Sequence, residues 1–188
     1  MAGLCRGACV ALRVLAISGS LRAASSNSAV LRVAARVAPP GVEVRVHPGL
    51  DSLPYFNPDL DRGLDDPALP AQVRALRHEI ARADGLMISS PEYAHGISGM
   101  LKNALDWLVG GPEMVDKRVA LINTAPHATH AIAALAETLR TMSTRLVEDE
   151  WISIAVPRAH SDDALAAMPE LAEPLRVALR RLIAPPGR

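Results

Sequence analysis

The stretch VLAISGSLRAASSNSAVLR, residues 14–32, decides the fold. An apolar run of strand length, 14–17, ends in Ser18 and Gly19, and apolar residues return at Val30, Leu31, Val33 and Val37 with helical spacing. The intervening loop carries Ser20, Arg22, Ser25, Ser26 and Asn27. Asn27 reads as the N-cap of the helix, which turns the free first-turn amides toward the strand end. The helix dipole and those amides favour an anion, the serines supply short donors and Arg22 a charged one. The loop therefore reads as a cradle for a terminal phosphate, against the plainer reading of a polar turn that only caps a helix. It matches neither G-x-x-x-x-G-K-[ST] nor G-x-G-x-x-G, so a triphosphate clamp and a dinucleotide fingerprint are both unsupported. Hydroxyls in place of glycines point to a monophosphate gripped by side chains.

Working outward, further apolar runs of strand length lie at 42–46, 85–88, 119–122 and 151–156. Their continuity is that of strands covered on both faces. Helical spacing fills 28–37, 68–82, 99–109, 130–142 and 171–183. Strict alternation of the two predicts an α/β domain with a five-stranded parallel sheet and helices on both faces. In such sheets ligands collect at the carboxyl ends of the strands where the strand order reverses. That rule selects three loops, 18–27, 89–98 and 123–130, and the one long irregular connection, 48–66, is of the kind that covers a site.

The second loop, within SSPEYAHGISGMLKNALDWL, places Tyr93 and His95 among turn residues, rings able to wall a flat ligand. Backbone groups around residues 92–97 are free to bond the edge of a heterocycle. On the following helix, Lys102 and Asp106 stand four apart as a solvated or interfacial pair. Trp107 reads as core or subunit interface. In the third loop His127 and His130 lack the further ligands a metal site needs, so no metal is expected.

The 188 residues are 49% apolar with a formal net charge of zero, which predicts one globular domain. Without surplus Lys and Arg there is no general attraction to nucleic acid or anionic lipid. No apolar run approaches the ~20 residues of a membrane span. A soluble, cytoplasmic protein with a small-molecule or protein partner is expected. Residues 1–12 read as an N-terminal extension, a candidate for disorder, that passes directly into the first strand and carries both cysteines, Cys5 and Cys9. Residues 13–184 form the domain, the end APPGR reads as a frayed tail, and the acidic group 148–150 reads as a solvated strand start.

Two motifs together, GSLRAASSN and PEYAHGISGMLKNALDWL, resemble those of the NADPH-dependent FMN reductase family of quinone, chromate and azo-dye reductases. The first is similar to the family's G-S-L-R-x-x-S-x-N, the second to P-E-Y-N-x-S-x-P-G-x-L-K-N-A-[IL]-D-W-L. The intervening LPYFNPDLD resembles L-P-x-[FY]-[ND]-x-D. The likeness runs from about residue 13 to 154. It implies a flavodoxin-like three-layer sandwich of strand order 2-1-3-4-5, and FMN as cofactor with NADPH or NADH as electron donor. Gly19, Ser20, Arg22, Ser25, Ser26 and Asn27 would then hold the flavin phosphate, and Pro91, Glu92, Tyr93, Ala94, His95, Gly96 and Ile97 would frame the ring. Helix 99–109 would help build a homodimer or homotetramer.

The activity so implied passes electrons through the flavin to a small acceptor such as a quinone, chromate, azo compound or free flavin. No catalytic side chain is expected, because the flavin carries the chemistry. The alternatives are a flavodoxin-type electron carrier, or a catalytically degenerate flavin-fold subunit with a structural or regulatory role. Ala94, Gly96 and Ser98 replace the family's Asn, Ser and Pro, and the Gly-Gly-x-Arg often seen after strand four is absent. The glycine and the missing proline predict a loosened loop and a comparatively labile flavin.

Overall fold

The computed structural model describes residues 12–147, 151–157 and 160–184. The cysteines, the acidic group 148–150 and the end of the chain lie outside the described residues. The parallel sheet is built on β1 (Leu12–Ser18), β2 (Val42–Val46), β3 (Gly85–Ser89) and β6 (Arg118–Asn123), in the order β2-β1-β3-β6. The register runs Val14 to Gly85 and Gly85 to Arg118, so β1, β3 and β6 end level and their following loops emerge together. Leu12, placed by the sequence reading in the extension, opens β1 and pairs with Val42.

Beside β6 the expected single strand 151–156 is replaced by two dipeptides. Here β7 (Arg145–Leu146) pairs with Arg118 and Val119, and β8 (Ile152–Ser153) pairs with Ile122 and Asn123. Both are parallel to β6, so the order is the flavodoxin-like 2-1-3-4-5 with its fifth position divided in two. The other outer strand, β2, alternates half-buried and exposed positions and is not covered on both faces. Being at the edge, it has one face open to solvent.

Two apolar layers sandwich the sheet. Leu15, Ile17, Leu86, Ile88, Val119 and Leu121 face α2 (Ala71–Arg82), α3 (Gly99–Asp106) and α4 (His130–Thr141). Val14, Ala16, Met87, Ala120 and Ile122 face α1 (Ser26–Arg36), α5 (Asp162–Ala166) and α6 (Pro169–Ile183). The alternation along each strand follows from the two-residue period of a pleated backbone. Each fully buried Leu or Ile stabilises the fold by about 1.5–3 kcal/mol.

The N-cap of α1 is Ser25, not Asn27. Ser25 has extended backbone, φ −88° and ψ 124°, and its Oγ accepts the Ser28 amide at 3.3 Å. Serine and asparagine cap helices about equally well, so composition alone does not choose between two candidates two residues apart. A short helix, α5, also stands where none was expected, held to α1 by Asp162. Both Asp162 carboxylate oxygens accept from Arg32, at 2.7 and 3.2 Å, and Arg36 lies 3.5 Å away.

The long connection is fastened from inside. Asn103 of α3 accepts the Phe56 amide at 2.8 Å and donates to the Pro54 carbonyl at 2.9 Å, which also takes the Trp107 indole N–H at 2.9 Å. Trp107 is fully buried, edge-to-face on Phe56 with ring centres 5.1 Å apart, so of its two readings the core one holds. Arg77 of α2, only 2% exposed, donates to Glu113 at 2.8 Å and to Asp61 at 2.9 Å. A Cβ on Gly111 would collide with that guanidinium and with Glu113 Oε2, so only glycine lets the chain pass over the ion pair.

Candidate functional site

The level ends of β1, β3 and β6 deliver the three predicted loops to one cleft of about 780 Å³. The first loop lines it with Ser20, Arg22, Ser25, Ser26 and Asn27, the second with Pro91, Glu92 and Tyr93, and the third with Asn123, Thr124 and Ala128. This volume lies in the 300–1,000 Å³ range of small-molecule sites. Of the predicted residues, Gly19, Ala94, His95, Gly96 and Ile97 are not among the lining.

At the first end the donors are in place. Ser20 N–H donates to Ser18 Oγ at 3.2 Å, and Ser18 Oγ meets Ser28 Oγ at 2.9 Å, folding the loop over the helix start. The amides of Ser26 and Asn27, and the exposed Arg22 guanidinium, have no protein partner among the described residues. Free amides at a helix start with an unpaired arginine beside them form a donor set suited to a phosphate monoester. Gly19 belongs to the loop by packing. Its N–H donates to Ser89 O at 2.8 Å, and an added Cβ would fall 2.8 Å from Ser90 Cβ and 2.9 Å from Ser98 Oγ.

At the second end the loop is a two-residue hairpin that sequence reasoning did not foresee. β4 (Glu92–Tyr93) and β5 (Gly96–Ile97) pair antiparallel across Ala94 and His95, both left-handed at φ 49° and 59°. Successive left-handed residues define the tight hairpin turn that normally selects Asn-Gly, and Ala-His gives no such signal. Ala94 and His95 close the turn rather than line the cleft, which leaves the exposed Tyr93 ring as its aromatic wall. The hairpin docks on α4 in two ways. Glu92 Oε2 accepts the Ala131 amide at 2.8 Å, and the His95 ring stacks on His130, centres 4.2 Å apart and planes 20° from parallel. A carboxylate at the first turn of a helix meets its positive end.

The substitutions expected to loosen this loop are accommodated. Gly96 has no left-handed backbone, and Ser98, 3% exposed, brings its Oγ within 3.3 Å of Ser90 Oγ. The unusual backbone belongs instead to Ala94 and His95. Sequence reasoning missed one further wall, formed by Ala29 and Arg32 of α1 with Val156, Pro157, Asp162 and Leu165. Its only sequence signal is the pairing of an arginine and an aspartate 130 residues apart. Arg32 holds the Asp162 carboxyl below the usual carboxylate range.

The family described as NADPH-dependent FMN reductase matches this chain over residues 12–155. A quinone reductase of Escherichia coli K12 is 38% identical over 102 residues, 54% of this chain and 53% of that protein. A probable NADPH:quinone oxidoreductase 2 of Oryza sativa subsp. japonica is 41% identical over 117 residues, 61% and 56% of the two chains. The match thus spans little more than half the length of these relatives. The flavoenzyme NAD(P)H:(acceptor) oxidoreductase FerB of Paracoccus denitrificans superposes with a TM-score of 0.72 at 27% identity, covering 91% of this chain and 94% of that one.

Proposed function

This chain belongs to the NADPH-dependent FMN reductase family, and from that premise we propose that it is an NAD(P)H-dependent oxidoreductase. Its cofactor is FMN, and it passes electrons to a small acceptor such as a quinone, chromate, azo compound or free flavin. The observation that carries the reading is the first end of the cleft, where an unpaired arginine, serine hydroxyls and two free helix amides converge. That donor set fits the FMN phosphate, and a cleft of about 780 Å³ fits the rest of the molecule.

When bound, FMN supplies the hydride and electron chemistry. The chain's own residues bind and orient. Gly19, Ser20, Arg22, Ser25, Ser26 and Asn27 hold the phosphate end. Pro91, Glu92 and Tyr93 flank the ring, and Ala94, His95, Gly96 and Ile97 set their position from behind as the rest of the hairpin. Glu92, bonded to the Ala131 amide, fixes the hairpin against α4 rather than acting as a base. Arg22 contributes a charge-assisted bond of about 1.5–3 kcal/mol to the phosphate alone. We place the protein in the cytoplasm as a homodimer or homotetramer. Val109 and Val115, both more than half exposed just past α3, support that surface as the contact. Among the described residues no helix is long and apolar enough to cross a membrane.

The deciding experiment is a flavin spectrum of FMN-reconstituted protein before and after anaerobic NADPH or NADH, followed by steady-state reduction of a small quinone. Bleaching of the flavin band and multiple turnovers are expected. Protein that binds FMN but leaves both nicotinamides unoxidised is no reductase.

A further inference from the structure

We propose that Asn27 is a positioning residue whose side chain braces the three cleft loops against one another, and that this brace governs affinity for the whole flavin independently of the phosphate. The inference rests on the flavin reading above. Asn27 is the second residue of α1 and 7% exposed. Its Oδ1 accepts from Thr124 Oγ1 at 3.1 Å and lies 2.8 Å from Ser89 Oγ, whose single proton it shares with the Ile122 carbonyl at 2.9 Å. Ser89 is fully buried at the end of β3, and Thr124 follows β6. One amide oxygen therefore ties the first loop to the second, 62 residues on, and to the third, 97 residues on.

An amide oxygen has two acceptor sites, and both face a hydroxyl here, Thr124 outright and Ser89 by a shared proton. Only Nδ2, which has no protein partner among the described residues, remains for a ligand. The third loop is tied together internally, because Asn123 Nδ2 donates to Ala128 O at 3.0 Å and Asn123 Oδ1 accepts the Ala125 amide at 3.0 Å. Fixing Thr124 thus fixes the wall that the third loop gives the cleft. Preorganisation of this kind raises affinity by reducing the ordering cost of binding.

Riboflavin separates the brace from the phosphate contact, since it lacks the phosphate. Dissociation constants for riboflavin and FMN are measured with apoprotein of wild type, Asn27→Ala, Thr124→Val, the double variant and Asn27→Asp. Loss of one full and one shared hydrogen bond predicts riboflavin binding weakened about fivefold or more in Asn27→Ala, with Ser89 keeping its bond to the Ile122 carbonyl. Thr124→Val weakens both flavins by the same factor, about two- to tenfold. The double variant binds riboflavin no worse than Asn27→Ala, because the shared bond is already gone. Asn27→Asp keeps the acceptor, so it retains riboflavin within about twofold while losing FMN to charge repulsion against the phosphate. Riboflavin affinity untouched by Asn27→Ala, or additive losses in the double variant, overturns the brace. Should Asn27→Ala not fold, the contrast between Asn27→Asp and Thr124→Val decides alone. Wild type that binds neither flavin overturns the flavin reading itself, and this inference with it.

Discussion

Replacing Ala94 by asparagine should stabilise the protein, although it adds a polar group to an exposed turn. Ala94 is held at φ 49° by the pairing of Glu92 with Ile97 and Tyr93 with Gly96. A Cβ in the left-handed region costs roughly 1–2 kcal/mol, and asparagine tolerates it through local hydrogen bonding. Position 94 is exposed, so the larger side chain meets no packed neighbour. Relief of most of that strain gives about 1 kcal/mol, or ~2–4 °C in Tm for a chain of this size. Ala94→Gly removes the same clash but gives back about 0.4–1 kcal/mol in unfolded-chain entropy, so its gain is smaller. Ala94→Val, branched at Cβ, loses stability. Thermal unfolding of apoprotein followed by circular dichroism should therefore rank the variants Asn, Gly, Ala, Val. A valine variant as stable as wild type, or an asparagine variant without gain, refutes the left-handed turn.

Arg22→Ala should weaken FMN by about tenfold to a hundredfold and leave riboflavin within about twofold, as read by fluorescence titration; equal losses remove Arg22 from the phosphate. His47 has its pKa lowered by burial, against a smaller opposing pull from Glu79. The unfolded chain therefore takes up a proton first, and stability present above about pH 6.5 falls as pH drops through the folded-state value. His47→Asn, which keeps an acceptor for the Gly49 amide, should flatten the decline in Tm between about pH 7 and 5. Gly111→Ala should destabilise by about 3 kcal/mol or more, since it displaces Arg77 from Glu113; chemical denaturation measures it.

Much of the cleft was legible because parallel sheets place their loops by rule. The loops 18–27, 89–98 and 123–130 follow from strand order alone, and the structure brings residues of all three to one cleft. What stayed hidden depends on partners far away in sequence. Arg77 carries no local sign that it is buried, since Asp61 and Glu113 come to it from other segments. Arg32 and Asp162 close a wall of the cleft across 130 residues. The hairpin escaped notice because Ala-His lacks the turn chemistry that would announce it, and tertiary contacts to α4 impose the backbone instead. The divided edge strand escaped for another reason: each piece is two residues long, too short for periodicity to register.

The crowding at Gly19 makes its replacement depend on history. Serine side chains at 90 and 98 fill the space a Cβ would need, so alanine at 19 is damaging while they remain. If Ser90 first becomes glycine, the closest obstruction disappears, and if Ser98 moves aside as well, alanine at 19 meets none of the three serine atoms that now exclude it. The same change is thus harmful or mild according to which came before. A mutational scan on the present background would score position 19 as intolerant. A scan begun from a Ser90→Gly background would score it more leniently, and the difference between the two maps would measure how tightly the first two loops constrain one another's future.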